Sequence, residues 1–478
     1  MIHKRTKEEY KKLLAVECLK ITHFILSCGL FFFFWILFRY NELRFGGEIG
    51  FRYNYFVLAG YAVGLLFFCR TYNAYLLGYT RIRILAFSEF LAQMFSICIL
   101  YVAVSLAWNH IKNPLYLIAA LGAQLFLDII WAYFANLKYF KIYPPKKTIL
   151  IYQNAIDKKR FGTISGKPSE RLYKIVEEYQ YKGRHFSDIK HKLDGYEAVF
   201  VAGVDSRCRN GIAKYCKEEN IPGFFLPHVG DVIMQEAMHI QSFDSPVLYV
   251  TRTIAKPEFR IVKRCFDFIS SLIGLIVLSP IMLITAIAIK VYDRGPVFYK
   301  QVRLTRDGKH FKIIKFRSMR VDAEKDGVAR LSSGDNDDRI TPIGRIVRKC
   351  RLDELPQLIN ILKGDMSVVG PRPERPEIAE QYYKTIPEFK LRLQVKAGLT
   401  GYAQVYGKYN TDPYEKLEFD LMYINNMSVL TDLELMFATF GILFLPESTE
   451  GVAVGATTAM DYENAADSTE IDAETVAK

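Results

Sequence analysis

Asp353 and Glu354 stand side by side in Arg348-Lys-Cys-Arg-Leu-Asp353-Glu354-Leu-Pro-Gln-Leu, two carboxylates set among cations. Neighbouring side chains leave a backbone in different directions, so the two acids are free to hold different jobs. One can attack phosphorus as an aspartyl-type nucleophile while the other holds a divalent ion. Phosphoryl transfer needs that division, because an anionic phosphate must be neutralised before a carboxylate approaches it. Further on come Lys363-Gly-Asp-Met-Ser367 and then Val369-Gly-Pro-Arg372-Pro373, where prolines and a glycine fix the backbone and leave Arg372 few conformations. Guanidinium forks from Arg348 and Arg372 match phosphate oxygens. Upstream, Phe311-Lys-Ile-Ile-Lys315-Phe-Arg317-Ser-Met319 reads as a strand. It would put Lys315 and Arg317 on one face, suited to a diphosphate or equally to plain solvation.

These residues need elements to position them. Thr341-Pro342 begins a helix leading toward the carboxylates, with Thr as N-cap and Pro in the first turn. Before it, an apolar stretch from Cys265 to Ile289 is interrupted by Ser279-Pro280 and carries basic residues on both flanks, Arg260, Lys263 and Arg264 before it and Lys290, Arg294 and Lys300 after it. Basic residues at both ends favour both ends being cytoplasmic. Pro280 removes a helix hydrogen bond, and the Ser279 hydroxyl can satisfy the freed carbonyl. The expectation is a re-entrant helix over 262–289 that enters the inner leaflet, bends at Ser279-Pro280 and returns; a plain kinked spanning helix is the alternative.

The N-terminal third holds four apolar segments near 19–38, 55–69, 84–108 and 114–136, most of them reaching the ~20 residues of a spanning helix. Lys4, Arg5, Lys7, Lys11 and Lys12 before the first, Arg70, Arg81 and Arg83 between the second and third, and Lys138, Lys141, Lys146 and Lys147 after the fourth place both ends inside. Glu89 and Asp128 fall in or near these spans, as functional candidates or as helix-contact groups. The basic start runs into a long apolar stretch without a small-residue cleavage site, so no cleavable signal peptide is expected.

Thr148-Ile-Leu-Ile-Tyr152, Ala198-Val-Phe-Val-Ala-Gly203 and Gly223-Phe-Phe-Leu226 read as short buried strands, with helices near 167–180 and 207–220. Strands alternating with helices indicate a small parallel α/β domain. After its first strand a dinucleotide domain would show Gly-x-Gly-x-x-Gly, and this chain has Gln153-Asn-Ala-Ile-Asp157, so docking or regulation fits better.

The formal charge is +12, and the last 33 residues carry eight acids against one lysine, so the body before Pro446 is about +19. An anionic leaflet or a phosphorylated substrate accounts for that charge better than nucleic acid, since no recognition motif is present and the bases flank apolar runs. The eight cysteines are scattered singly without Cys-x-x-Cys pairs or histidine clusters, which suits packing in a reducing compartment. The tail from Pro446 has little to bury and reads as disordered.

Residues 258–445 resemble the bacterial sugar transferase family of polyprenyl-phosphate hexose-1-phosphate transferases. The resemblance rests on Lys263-Arg-Cys-Phe-Asp267, Ser279-Pro280, Lys315-Phe-Arg-Ser-Met319, Leu352-Asp-Glu-Leu-Pro-Gln357, Lys363-Gly-Asp-Met-Ser367, Gly370-Pro-Arg-Pro373 and Gly398-Leu-Thr-Gly-Tyr-Ala-Gln404. It implies transfer of a sugar 1-phosphate from a UDP-sugar to undecaprenyl phosphate through a covalent phosphosugar–aspartate intermediate, with Mg²⁺, at the cytoplasmic face of the bacterial inner membrane, to start a capsular or exopolysaccharide chain. By motif it makes Asp353 the nucleophile, Glu354 the metal ligand and Lys315, Arg348 and Arg372 phosphate contacts. Ser279-Pro280 becomes the re-entrant bend, and Lys408 and Asp420 join the substrate site. Gly407-Lys408 stands where the family usually has Gly-Arg, which turns a fork into a point charge. The long architecture favours UDP-glucose or UDP-galactose over an acetamido sugar. A non-catalytic membrane regulator or assembly platform is the rival reading.

The expected membrane protein thus has four transmembrane helices over 1–145 and a Rossmann-like α/β domain lacking a Gly-rich loop over 146–251. An α/β catalytic module follows over 252–445, then a disordered acidic tail over 446–478. The multi-span region and the α/β domain leave surface for a homodimer.

Overall fold

The structure, a computed structural model, describes residues 2–43, 50–107, 113–155, 157–158, 171–240, 247–252, 257–321, 323, 337–407 and 412–442. Lys408 and the acidic tail lie outside the described residues. The chain divides into two compact units, Met1–Leu226 and Pro227–Lys478.

The first unit opens with four helices, α1 (Ile2–Leu43), α2 (Gly50–Thr71), α3 (Ile82–Ala107) and α4 (Leu115–Ile142). The segments Tyr10–Phe38, Tyr53–Thr71, Ile82–Ala107 and Leu115–Ile142 are long and apolar enough to cross a membrane. A helix is the form such runs must take in lipid, because only there does the backbone satisfy its own polar groups. Large apolar side chains such as Phe56, Leu106, Phe126 and Phe134 point outward, while Ser27, Gln93, Gln124 and Asp128 are buried between helices. That inverted arrangement is what a lipid solvent demands, and the chain is a membrane protein.

Past α4 come β1 (Lys146–Tyr152), β2 (Tyr173–Gln180), α5 (Phe186–Leu193), β3 (Ala198–Ala202), α6 (Ser206–Glu218) and β4 (Gly223–Phe225). The strands form one parallel sheet in the order β2-β1-β3-β4. The parallel α/β region is as expected, and its central strands are continuous apolar runs because both sheet faces are covered. One element differs. The stretch expected as a helix near 167–180 contains β2, whose Glu177 and Glu178 lie on an exposed edge strand. Charged residues there look helical in sequence, yet the edge position leaves them solvated while Tyr173 faces the core.

The second unit begins with α7 (Val229–Gln235), the hairpin β5 (Met238–Ile240) and β6 (Val247–Tyr249), and the long helix α8 (Pro257–Asp293). Residues 227–251, grouped above with the α/β domain, belong here: the Val229 amide donates to Tyr414 Oη at 3.0 Å, and Asn425 Nδ2 donates to the Val232 carbonyl at 2.8 Å. There follow the hairpin β7 (Phe298–Leu304) and β8 (His310–Phe316), then α9 (Pro342–Lys349), α10 (Gln357–Lys363), β9 (Ser367–Val369), α11 (Pro376–Thr385), β10 (Gly398–Thr400), α12 (Tyr402–Val405), α13 (Pro413–Asn425) and α14 (Val429–Ile442). β9 and β10 pair in parallel.

Helix α8 is a fifth segment long and apolar enough to cross a membrane. Helical backbone continues on both sides of Pro280, and Ser279 Oγ donates at 2.8 Å to the Ile276 carbonyl. That carbonyl is the one the missing Pro280 N–H would have served. One face of α8 carries exposed Ile269, Ile273, Ile276, Val277, Ile284 and Ile287, while Asp267, Ser271, Thr285 and Ile289 are buried against the unit.

The basic motif at the start of α8 is structural. Lys263 Nζ donates to Asp432 Oδ2 at 2.5 Å and to Tyr423 Oη at 3.1 Å. Arg264 donates to the carbonyls of Ile361 and Leu362, both at 2.7 Å, in the last turn of α10. Asp267 Oδ1 accepts from Ser367 Oγ at 3.0 Å and from the Val368 amide at 2.9 Å. Past the proline, Met282 and Ala286 pack beside Ile289 on the cluster of Phe316 and Val347.

Candidate active site

The carboxylates sit on a short 3₁₀ turn, Leu352–Glu354, between α9 and α10. Thr341 caps α9 as expected, its Oγ1 accepting from the Gly344 amide at 2.9 Å. The helix stops short of the acids because Arg351 takes a left-handed backbone conformation, φ 53°. A residue with a Cβ adopts that conformation at a cost, typically of ~1–3 kcal/mol, and such residues gather at functional sites. The turn swings the acid pair back over β8, and Leu352 packs into the Phe316–Val347 cluster below.

Two elements converge on Glu354. From β8, Lys315 Nζ donates to Glu354 Oε1 at 2.8 Å; from the loop after β9, Arg372 Nη2 donates to the same oxygen at 2.6 Å. Asp353 Oδ2 stands 4.0 Å from Lys315 Nζ. Both acids are only 14% exposed. Burial pushes the Asp353 carboxyl above its ordinary value, the Lys315 charge opposes, and the Glu354 charge adds to the rise. Burial acts on Glu354 in the same sense, but the charges of Arg372 and Lys315 and their hydrogen bonds outweigh it and hold that carboxyl well below the usual range. Two adjacent acids therefore differ in character: Glu354 is a fixed anion between cations, and Asp353 is the more basic and the less tied.

Lys315 is held in register by Asn360 of α10, whose Nδ2 donates to the Lys312 carbonyl at 2.8 Å and whose Oδ1 accepts from the Ile314 amide at 3.0 Å. The Arg372 loop is held by close backbone approach. A Cβ on Gly398 would meet Gly370 N at 2.1 Å, so the Gly370 amide can donate to the Thr400 carbonyl and the Gly398 amide to the Pro371 carbonyl, both at 2.8 Å. Beneath that loop, Arg392 Nη2 donates to the Arg372 carbonyl at 2.8 Å and lies 2.8 Å from Asp420 Oδ2, with Glu374 3.6 Å from Nη1. Arg303 Nη1 donates to the Pro373 carbonyl at 3.1 Å.

Lys315, Arg372, Asp353 and Glu354 are thus together. Arg348 is near enough for its charge to act on Asp353, and its Nε donates to Ser318 Oγ at 2.8 Å. Asp420 is buried, 2% exposed, and reaches Arg372 through Arg392. Ser279 and Pro280 lie midway along α8. Arg317 does not share the Lys315 face. β8 ends at Phe316, and the Arg317 guanidinium turns to Asp293 at the end of α8, over Gly295 where a Cβ would meet it at 2.6 Å. Asn360, Glu374, Arg392 and Lys416 were not among the expected site residues. Glu374 follows the Gly370-Pro-Arg-Pro373 motif directly, and Lys416, whose charge acts on the Glu374 carboxylate, begins the stretch that ends in Asp420. Arg392 and Asn360 act through backbone carbonyls and amides, a role that leaves no trace in spacing.

Residues 258–446, which hold this turn and every group around it, match the bacterial sugar transferase family. The exopolysaccharide production protein PSS of Rhizobium leguminosarum bv. phaseoli is 42% identical over 188 residues, which are 37% of this chain and 93% of that protein. The chain belongs to the bacterial sugar transferase family. Two longer relatives match over the same region. The UDP-N-acetylgalactosamine-undecaprenyl-phosphate N-acetylgalactosaminephosphotransferase of Aeromonas hydrophila is 39% identical over 189 residues, 39% of this chain and 44% of that protein. The UDP-glucose:undecaprenyl-phosphate glucose-1-phosphate transferase of Klebsiella pneumoniae is 43% identical over 202 residues, 41% of each chain. The match thus spans less than half the length of these two relatives.

Proposed function

We propose that the chain transfers a sugar 1-phosphate from a UDP-sugar to undecaprenyl phosphate at the cytoplasmic face of a bacterial inner membrane, as the first step of exopolysaccharide or capsule assembly. The observation that carries this reading is the division of the acid pair, with Glu354 locked between Lys315 and Arg372 and Asp353 beside it, unlocked and more basic. The named activities of the Aeromonas and Klebsiella relatives support the donor and acceptor classes. Because those two names include both an acetamido sugar and glucose, the preference for UDP-glucose or UDP-galactose rests on the sequence architecture alone.

In the proposed mechanism Lys315, Arg348 and Arg372 take the diphosphate oxygens and withdraw charge from the β-phosphorus. An Asp353 oxygen attacks that phosphorus, the bridging bond to the α-phosphate breaks, and UMP leaves with the electron pair. A phosphate oxygen of undecaprenyl phosphate then attacks the same phosphorus, and the bond to Asp353 breaks to return the carboxylate. Glu354 fits a hard divalent ion by donor chemistry: among the described residues its Oε2 receives only a 3.5 Å contact from Arg372 Nη1, which leaves an anionic oxygen for an ion such as Mg²⁺. Such an ion would neutralise donor phosphate charge when bound.

The re-entrant reading of α8 gains support from its contacts. Lys263 and Arg264 near its start and Ile289 and Asp293 near its end hold to one compact unit, and Leu275, Leu278 and Met282 pack on that unit between them. A straight crossing of the ~30 Å hydrocarbon core would carry the charged unit through lipid with it. The outward apolar face fits burial in one leaflet.

Radiolabelled UDP-sugars with undecaprenyl phosphate test the whole reading. The wild-type chain should release UMP and label the lipid with at least one sugar, and Asp353→Asn should abolish transfer while still inserting in membranes. Substantial turnover by Asp353→Asn removes it as nucleophile. A wild-type chain inert toward a full donor panel favours the assembly-platform reading.

A further inference from the structure

His23 of α1, Glu89 of α3 and Asp128 of α4 meet in the interior of the helical part of the first unit, and no step above uses them. None is more than 1% exposed. His23 Nε2 lies 3.0 Å from Asp128 Oδ1 and 3.8 Å from Glu89 Oε2, and the ligand-type atoms of the three residues all fall within 4.8 Å of one another. Two carboxylates on helices of this apolarity are costly unless something compensates their charge. Among the described residues no lysine or arginine pairs with either acid, and an imidazole supplies at most one positive charge.

Several polar atoms of the cluster and its neighbour Gln93 are buried without a hydrogen-bond partner among the described residues. Both oxygens of Glu89, Asp128 Oδ2 and Gln93 Oε1 are fully buried and accept no hydrogen bond from the described residues. The partners that do exist orient rather than neutralise. Gln93 Nε2 donates to Asp128 Oδ1 at 2.9 Å, which fixes that carboxylate. His23 Nδ1 faces Tyr75 Oη at 3.3 Å, and the Trp131 ring lies 4.4 Å from the imidazole. An outer hydrogen bond on Nδ1 is the arrangement that sets the tautomer of a metal-ligating histidine and aims Nε2 inward.

We propose that His23, Glu89 and Asp128 bind one divalent transition-metal ion of the zinc class, which ties α1, α3 and α4 together. One imidazole nitrogen and two carboxylates suit such an ion better than magnesium, which keeps its waters and prefers oxygen alone. Ligands ~2.0–2.1 Å from a tetrahedral centre stand about 3.3 Å apart. The His23–Asp128 and His23–Glu89 separations of 3.0 and 3.8 Å bracket that spacing. With the histidine neutral, the double charge balances both carboxylates. The ligands belong to a different unit from Glu354, so this ion is independent of any that serves phosphoryl transfer.

The test uses the full chain in detergent, stripped with a chelator and reloaded with Co²⁺ or Zn²⁺. The wild type should take up one tetrahedral Co²⁺ per chain, seen in its visible absorption, and Zn²⁺ should displace it. X-ray absorption should find four nitrogen or oxygen ligands at ~2.0–2.1 Å, one of them an imidazole and one a water or other oxygen that completes the shell. Glu89→Gln and Asp128→Asn should each bind at least about tenfold more weakly, whereas Glu354→Gln should bind as the wild type does. No tetrahedral Co²⁺ spectrum in the wild type overturns the proposal, and is the outcome if the cluster holds only protons. A ligand shell without imidazole overturns it too, and so does unchanged binding in both variants. The wild-type spectrum and ligand shell decide the matter even where a variant does not fold.

Discussion

The Arg392 guanidinium donates a 2.8 Å hydrogen bond to the backbone carbonyl of Arg372. Its other neighbours, Asp420 and Glu374, hold it there, so a chain of buried charges ends on the loop that aims Arg372 at Glu354. Small displacements of a positioned group can cost about a hundredfold in rate. Arg392→Gln should therefore lower kcat/KM by roughly 10–100-fold although Arg392 is itself 4% exposed. Steady-state UMP release checks this, and a variant that melts lower but turns over normally would sink the positioning role.

Burial pushes the Asp420 carboxyl up to about 6, despite Arg392. An acid whose folded value is raised contributes stability at low pH and loses it as pH climbs from its unfolded value through the folded one. The wild type should lose stability relative to Asp420→Asn between about pH 4 and 6, by up to ~3 kcal/mol. The comparison isolates this group, since the Asn variant lacks the Arg392 ion pair at every pH. Parallel melting-temperature curves for the two proteins would contradict it.

As the proposed nucleophile, Asp353 must be ionised to attack, and burial raises its carboxyl while Lys315 opposes that rise. Activity should fall as pH drops through a limb lying above an ordinary aspartate's ~3.9. Lys315→Met should move that limb to higher pH, besides lowering the rate. A pH profile of kcat/KM measures both, and a limb that stays put or moves down in Lys315→Met would refute the assignment.

Ser279 and Pro280 offer a cleaner test of a local bond. Ser279→Ala leaves the Ile276 carbonyl without its 2.8 Å donor and should cost about 1 kcal/mol. In a Pro280→Ala background the restored amide takes over that carbonyl, so the same substitution should cost little. A double-mutant cycle by thermal unfolding in nanodiscs reads the coupling, and equal costs in both backgrounds would show that the hydroxyl does not replace the amide.

Much of this was legible in the residues, and the exceptions share a cause. Thr341-Pro342 announces its helix because a cap and a proline act locally, and Asp353-Glu354 stands out because its chemistry lies in two adjacent side chains. β2 was not legible, since Glu177 and Glu178 belong to a strand only because β1 offers an edge. Arg317 follows Lys315 at strand spacing, yet its direction depends on the last turn of α8 at Asp293 and on the room at Gly295. Asn360 and Arg392 serve backbone groups far away in sequence, at Lys312 and Arg372. What depends on two distant segments meeting cannot be read from either one.

The outward face of α8 presents Ile269, Ile273, Ile276, Val277, Ile284 and Ile287, with Asp353 and Glu354 held by the unit behind it. With α8 in one leaflet, as proposed above, whatever reaches the acid pair from that side travels within a sheet of lipid, so its supply is counted per unit area. Diluting the protein in buffer would then leave such encounters unchanged, whereas adding inert phospholipid would slow them. The relevant concentration for a lipid-borne reactant is its mole fraction in the bilayer.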